Sequence, residues 1–200
     1  GVTIDIIASL GSVPDLLVIA AATMLRYRDP NVAPRQAGAE VGARYVLTSL
    51  PNSGIVREVV LGPNGIAQGA APGLIIADAS TSRPEDSERL GAELAKRGIG
   101  FLDAAVSGTS AMAWKKDLIV IAGGTKEAFE ACKPLFAGFA RAAYRMGPVG
   151  SGAMTKLVIN LVLFGNRLAL AEGGEKLQQA RAGIRDGRRY DRLIAVVGHA

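Results

Sequence analysis

The sequence has very little of the residue types on which several kinds of site depend. Its 200 residues include one cysteine and one histidine, and aromatic residues make up 5% of them. Cys132 has no second cysteine with which to form a disulfide or a cysteine-based zinc site, which favours a reducing compartment. His199 lies next to the last residue, where chains commonly fray, so we expect no catalytic triad that depends on it.

Long apolar runs are also missing. The longest, at residues 16–22 and 157–164, are much shorter than the ~20 residues that a membrane-spanning helix needs. No basic segment precedes the first apolar run, as it would in a secretory signal peptide. We therefore expect a cytoplasmic protein without a membrane partner.

The basic net charge of +5 could indicate a nucleic-acid-binding protein. Most of the excess, however, lies in one C-terminal stretch with hardly any interleaved aromatic residues: Arg181, Arg185, Arg188, Arg189 and Arg192. Such a cluster is more typical of a solvated helical face than of a phosphate-binding surface. We expect no nucleic-acid partner.

Short strand-like runs alternate with helical stretches from residue 44 onward. The strands are predicted in RYVLTSLP, GLIIAD, IGFLDA, DLIVIAGG and AAYRMG. Between them, one helix should have Ser53 as its N-cap, and another should be kinked or divided at Pro134. This alternation predicts an α/β protein of the Rossmann type, with a doubly wound and mainly parallel sheet.

The alternation stops beyond Gly152. The stretch AMTKLVINLVLFGNRLALAEG is apolar nearly all round and predicts a long helix that opens an all-helical domain. We place the domain boundary near Pro148, with a Rossmann-like domain at 1–148 and a partial helical domain at 149–200. The apolar helix also indicates a homodimer formed through the helical region.

Ligands of an open parallel sheet bind beyond the carboxyl ends of its strands. Four segments follow predicted strands: SLPNS, DASTSRP, DAAVSGTSAM and GPVGSGAMTK. Three of them are rich in glycine or small hydroxyl residues, which allow the backbone to approach a ligand closely. Asp78 and Asp103 stand at predicted strand ends, where we expect them to form turns rather than to act as catalytic acids.

Two of these segments resemble the β-hydroxyacid dehydrogenase family, which includes 3-hydroxyisobutyrate dehydrogenase and is related to 6-phosphogluconate dehydrogenase. DAAVSGTSAMAWKKDLIVIAGG resembles the family's substrate segment, and GPVGSGAMTKLVIN resembles its catalytic segment, Gly-x-Gly-x-x-x-Lys-x-x-Asn-Asn. The resemblance runs from about residue 45 to residue 173. It implies an oxidoreductase that transfers a hydride between NAD or NADP and C3 of a small 3-hydroxy acid.

The resemblance makes Lys156 the catalytic lysine and Asn160 the second asparagine of the family pair, with Ile159 in place of the first. Lys156 and Asn160 are i and i+4, so they share one face of a helix. Oxidation of a hydroxy acid needs a base, and a lysine can serve if desolvation lowers its pKa toward ~7–8. A protonated lysine could instead polarise the carbonyl oxygen, and the simplest alternative is a surface lysine at a helix start.

The resemblance also assigns the substrate and cofactor contacts. Ser107 and Gly108 match residues that hold the substrate carboxylate, with Thr109 in place of a second glycine. Leu50 and Pro51 match a pair whose backbone borders the dinucleotide. Thr81 matches a threonine near the nicotinamide, although it could equally be a helix N-cap.

The first 44 residues depart from the family pattern. The expected strand, Gly-x-Gly-x-x-Gly and helix fit best with Ser9, Gly11 and Pro14 at the three glycine positions, which implies a helix after Pro14. Only Gly11 matches a glycine of this pattern, and we assign it to the cofactor site together with the adjacent Ser12. Either the site has diverged and has lost or weakened cofactor binding, or the residues in this stretch are not correctly assigned.

The segment RYRDP resembles the end of the second strand of a dinucleotide-binding unit. Asp29 could accept a hydrogen bond from a ribose hydroxyl, and Arg28 could favour a 2′-phosphate, so the choice between NAD and NADP stays open.

Members of the family are typically half as long again as this chain, so we expect this sequence to be a fragment. The alternatives to a dehydrogenase are a non-catalytic nucleotide-binding module and a related imine or aldehyde reductase.

Overall fold

The computed structural model describes residues 16–20 and 44–185. Six strands and five α-helices are described, with one short 3-10 turn at Ile66–Gln68. In chain order they are β1 (Leu16–Ala20), β2 (Tyr45–Ser49), α1 (Ser53–Leu61), β3 (Ile75–Asp78), α2 (Pro84–Ala95), β4 (Gly100–Ser107), α3 (Ser110–Trp114), β5 (Leu118–Gly123), α4 (Lys126–Ala137), β6 (Ala140–Gly147) and α5 (Ser151–Arg185).

The described strands form one sheet in the order β1-β2-β3-β4-β5-β6. All neighbours are parallel except β4 and β5, which are antiparallel. The connection between these two strands, residues 108–117, is shorter than the dozen or so residues that a parallel crossover needs. The mainly parallel, Rossmann-type sheet expected from the sequence is confirmed, with this one reversal.

The core lies on both faces of the sheet, because successive strand residues point to opposite sides. Val46 and Ile76 pack with the buried residues of α1 and α2. Leu47 and Leu102 pack on the other face with the buried side chains of α4. Helices therefore cover both faces, as a doubly wound sheet requires. Cys132 is one of the core residues of α4, and its burial raises the pKa of the thiol to about 12.

The structure corrects one helix boundary predicted from the sequence and excludes the division of another helix. The N-cap of α1 is Asn52, whose Oδ1 accepts a hydrogen bond from the Ile55 N–H at 3.0 Å, and not Ser53. The Ser53 hydroxyl instead donates to Asp86 on α2 at 2.6 Å. Pro134 does not divide α4, which continues to Ala137 with buried residues on both sides of the proline. Packing against the sheet outweighs the hydrogen bond that proline cannot make.

The helix expected after Pro14 is wrong for residues 16–20, which form strand β1. Its pairing with β2 runs in parallel from Leu16 opposite Tyr45 to Ala20 opposite Ser49. A short apolar run cannot be assigned to a strand or a helix by periodicity alone, and here pairing with β2 decides. Gly11, Ser12, Arg28 and Asp29 lie outside the described residues, so their assignment stays a prediction.

The chain divides into two compact units, Gly1–Leu157 and Val158–Ala200. The boundary that we placed near Pro148 stays a prediction. Within the described part of the chain, one helix segment, Ser151–Gln179, is long and apolar enough to cross a membrane by length and composition. Asn166 and Arg167 follow closely on the apolar run 157–164 without removing the segment's high mean hydropathy of 1.3, so run length alone did not reveal it. Core helices of soluble proteins can meet the same criteria, but those are mostly buried, whereas only 6% of the apolar window of this segment is buried.

Gly152, in the first turn of α5, is closely enclosed by backbone atoms at this end of the sheet. A Cβ at this position would lie 2.6 Å from the Gly123 nitrogen and in contact with the Asp103 carbonyl oxygen. Backbone cannot move aside as a flexible side chain can, and overpacking of this kind typically costs about 1–3 kcal/mol.

We therefore expect Gly152→Ala to lower the free energy of unfolding by about 1–3 kcal/mol, measured by urea denaturation. Gly165→Ala, on the same helix, is the matched control because nothing lies within 4 Å of the added methyl group. The control should leave the stability unchanged or raise it slightly. Equal stability of the two variants would contradict the close packing of α5 on the sheet.

Candidate active site

A buried carboxylate holds the first turn of α5 against the sheet. Asp103, on β4, is 2% exposed. Its two oxygens accept hydrogen bonds from the Gly150 N–H at 2.8 Å and the Ala153 N–H at 2.7 Å. The first N–H groups of a helix have no partner within the helix, so this carboxylate acts as its cap from a distant strand. Gly150, at φ +94°, adopts the turn that brings its N–H toward Asp103.

The expectation that Asp103 is a turn former at a strand end is wrong. β4 continues four residues further, to Ser107, as the antiparallel partner of β5. Burial raises the pKa of Asp103, hydrogen bonds from Ala153 and Gly150 oppose this, and the nearby charge of Asp78 adds to the rise. A sequence signal did exist, because an acid within an apolar strand must find donors to offset its burial.

Lys156 follows the capped turn of α5 and is half-buried. Burial lowers the pKa of its amine, which is the direction that a general base requires. Asn160 also lies on α5 and is half-buried. The glycine-rich segment before α5 and Lys156 are thus structurally connected, because the sheet fixes the first turn of the helix that carries the lysine.

The segments that follow β2 and β3 are joined by a hydrogen bond. Leu50, which is buried, donates its backbone N–H to the Ser80 hydroxyl at 2.8 Å. Pro51 and Thr81 are exposed beside these two residues. Thr81 is not a helix N-cap, because the N-cap position of α2 is Arg83.

A cavity of about 530 Å³ brings together two of the segments predicted to carry the site, those that follow β2 and β3. From the segment after β2 it takes Asn52, Ser53 and Gly54, and from the segment after β3 it takes Thr81 and Ser82. Arg83, Asp86 and Leu157 complete its lining. Leu157 directly follows Lys156, so the cavity adjoins the start of the lysine-bearing helix. The lining thus combines amide, hydroxyl and charged side chains with one leucine, a mixture of polar and apolar groups that is typical of a small-molecule site.

The predicted substrate contacts do not line this cavity. Ser107 is half-buried at the end of β4 and pairs with Ile119 of β5. Gly108, at φ +141°, and Thr109 are exposed at the turn into α3. Ser107 lies four positions beyond Asp103 on the strand, which is about 13 Å at ~3.3 Å per residue. The sequence predicted a strand that ends near Ala104 and therefore placed this turn too early.

Residues 16–20 and 44–185 contain no group of three or more His, Cys, Asp or Glu side chains that could hold a metal ion. The polar groups of the site are instead loop hydroxyls and amides, a helix start and one amine. Together with the doubly wound sheet, they define a nucleotide-binding domain of the Rossmann type followed by a helix that carries a half-buried lysine.

Residues 20–150 match the family model described as the NAD binding domain of 6-phosphogluconate dehydrogenase. The chain therefore belongs to this family, and the resemblance and the cofactor class, NAD or NADP, that we expected from the sequence are confirmed.

Several named relatives are dehydrogenases of hydroxy acids. The L-threonate dehydrogenase of Cupriavidus necator is 33% identical over 88% of this chain and 58% of its own length. The 2-(hydroxymethyl)glutarate dehydrogenase of Eubacterium barkeri is 35% identical over 64% of this chain and 42% of its own. The 3-hydroxyisobutyrate dehydrogenase of Mycobacterium tuberculosis, solved with L-serine, superposes with a TM-score of 0.65 at 26% identity, over 83% of this chain and 53% of that one. The chain thus spans about half the length of these relatives.

The raised pKa of Asp103 predicts how stability depends on pH. Below the unfolded pKa of about 3.8 both states hold the proton, and the full contribution of this group is present. Between the unfolded and the folded pKa the folded chain keeps a proton that the unfolded chain has released, so stability falls as pH rises through this window.

We expect Asp103→Asn to make the fall in unfolding free energy from pH 4 toward neutrality shallower, in urea denaturation at a series of pH values. Asp78, which is also buried with a raised pKa, should retain part of the slope. Asp117→Asn is the control, because this side chain is half-exposed in an ion pair with Arg141. The same slope in wild type and Asp103→Asn would refute the assignment.

Proposed function

We propose that this chain is the cofactor-binding part of an oxidoreductase that transfers a hydride between NAD or NADP and C3 of a small 3-hydroxy acid, such as 3-hydroxyisobutyrate. The observation that carries the proposal is the half-buried Lys156, its pKa lowered by burial, on a helix whose first turn is fixed to the sheet and whose next residue, Leu157, lines the cavity. Membership of the family and the names of the relatives support the reaction class.

Lys156 acts as the acid–base group in this proposal. When bound, the nicotinamide supplies the hydride acceptor or donor. In the oxidative direction the neutral amine of Lys156 takes the proton of the C3 hydroxyl as hydride leaves the carbon. In the reverse direction the ammonium returns a proton to the carbonyl oxygen. Asn160 orients the substrate or the amine from the same helix.

The remaining contacts follow the family assignment. The backbone of Leu50 and Pro51 borders the dinucleotide, and the side chain of Thr81 lies near the nicotinamide end, in keeping with its place in the lining of the cavity. Ser107, Gly108 and Thr109 hold the substrate carboxylate, and Gly11, Ser12, Arg28 and Asp29 hold the rest of the dinucleotide. The last four residues lie outside the described part of the chain.

We expect Lys156→Ala to lower turnover of 3-hydroxyisobutyrate by about 10²–10⁴-fold, the usual contribution of a general base, with little change in the Kd of NADH. Turnover is followed by nucleotide absorbance with NAD and NADP, and in the reductive direction with the corresponding aldehyde. Lys176→Ala, an exposed lysine on the same helix, is the matched control.

Three outcomes separate the candidate functions. Wild-type turnover that Lys156→Ala abolishes supports the dehydrogenase. Activity that survives in Lys156→Ala contradicts the assigned base. Tight nucleotide binding by the wild-type chain without turnover of any substrate supports the non-catalytic nucleotide-binding alternative.

We also propose a homodimer formed through the helical region. Within the described residues of the second unit, large apolar side chains are exposed, including Leu161 at 74%, Phe164 at 65% and Leu170 at 76%. Light scattering at micromolar concentration should give twice the chain mass, and Phe164→Asp should reduce it toward the monomer. A monomeric wild type would refute the proposal. Cytoplasmic location and the absence of a membrane partner stay predictions.

A further inference from the structure

Asp78, at the end of β3, is the centre of a buried hydrogen-bond network. Its side chain is 1% exposed. One carboxylate oxygen accepts from the Thr48 hydroxyl at 2.9 Å and from the Ser80 N–H at 3.1 Å. The other oxygen accepts from the Ser82 hydroxyl at 3.1 Å. The network therefore joins strand β2 to both neighbours of Thr81.

The same network reaches the segment that follows β2. The Ser80 hydroxyl accepts the Leu50 N–H, and Ser80 is itself bonded to Asp78 through its backbone. Leu50 precedes Pro51, which cannot donate a backbone hydrogen bond, so the Leu50 N–H is the last amide donor before Asn52. Two segments on neighbouring strands are thereby held in one geometry by one carboxylate and one hydroxyl.

The arrangement is costly if stability is its only purpose. Burial raises the pKa of Asp78, and hydrogen bonds from Ser80, Thr48 and Ser82 act in the opposite direction. Apolar residues of similar volume commonly serve a core as well as a buried charge does. What a carboxylate adds is direction, because each of its bonds fixes a donor at a defined position. Here the fixed donors flank Thr81, which is exposed at the cavity.

We propose that Asp78 and Ser80 are positioning residues that hold the Leu50 backbone and Thr81 in the geometry that receives the nicotinamide end of the cofactor. The proposal rests on the proposed function. Neither residue needs to touch the cofactor: Asp78 acts through Ser80 and Ser82, and Ser80 acts through the Leu50 N–H. The consequence is that nucleotide affinity depends on hydroxyl groups that lie beneath the site.

Ser87, on α2, provides a matched control for Ser80. Both serines are buried, at 2% and 6% exposure, in neighbouring parts of the chain. The Ser87 hydroxyl has no hydrogen-bond partner among the described residues, whereas the Ser80 hydroxyl accepts the Leu50 N–H. Removal of the two hydroxyls therefore deletes the same atom from two buried serines, of which only one belongs to the network.

The test is the Kd of NADH and NADPH, measured by fluorescence titration of the full chain, with the Leu50 amide exchange rate as a second readout. Ser80→Ala should raise the Kd about tenfold and speed exchange of the Leu50 amide, because that N–H loses its acceptor. Ser87→Ala should change neither quantity. Thr48→Val should also raise the Kd, and Thr48→Ser, which keeps the hydroxyl, should restore it.

The outcomes distinguish this proposal from the proposed function. Wild-type binding with an unchanged Kd in Ser80→Ala and Thr48→Val overturns the positioning role, even if both variants are less stable. A wild-type chain that binds neither nucleotide overturns both proposals. If Ser80→Ala does not fold, a raised Kd in Thr48→Val with rescue by Thr48→Ser supports the positioning role, and an unchanged Kd overturns it.

Discussion

The bond between the Asp103 carboxylate and the first turn of α5 determines where the rest of the site can lie. The carboxylate belongs to a residue in the middle of a strand. The two N–H groups that donate hydrogen bonds to it belong to the start of a helix about fifty residues later in the chain. Gly152 allows this contact because no side chain separates the helix backbone from β4 and β5. The position of Lys156 follows from the position of that turn.

Asp78 stands opposite Asp103 in the register of β3 and β4. Adjacent strands thus end their parallel pairing in two buried acids with different partners. Asp78 binds hydroxyl and amide donors of the segments at the cavity, and Asp103 binds the helix start. The charge of Asp78 raises the pKa of Asp103, so the two anchors are coupled electrostatically. This edge of the sheet thus positions the loops, and it also links the protonation of Asp78 to that of Asp103.

Local sequence patterns predicted the elements whose signals are local. Pro84 and the acidic residues after it mark the start of α2, and the apolar runs of β2 and β3 lie where the sequence placed them. The motif that contains Lys156 located the helix start. These features depend on backbone preference and on burial of short runs, and both can be read from neighbouring residues.

The features that the sequence misplaced depend on distant partners. β4 extends to Ser107 because β5 pairs with it, and residues 16–20 are a strand because β2 offers a parallel partner. Asn52 caps α1, and Ser53 donates instead to Asp86 on α2. The position of α2 relative to α1 decides between the two residues, and local sequence does not give that position. Asp103 was taken for a turn residue because its donors are remote in the chain.

The burial of Cys132 has a practical consequence for following the folding of this domain. The thiol lies in the core beneath α4, and it is the only one in the chain. A thiol reagent can reach it only when the core opens, so the labelling rate reports the opening equilibrium of the native state. Cys132 thus reports transient opening of the core without an engineered label, and no second thiol contributes to the signal.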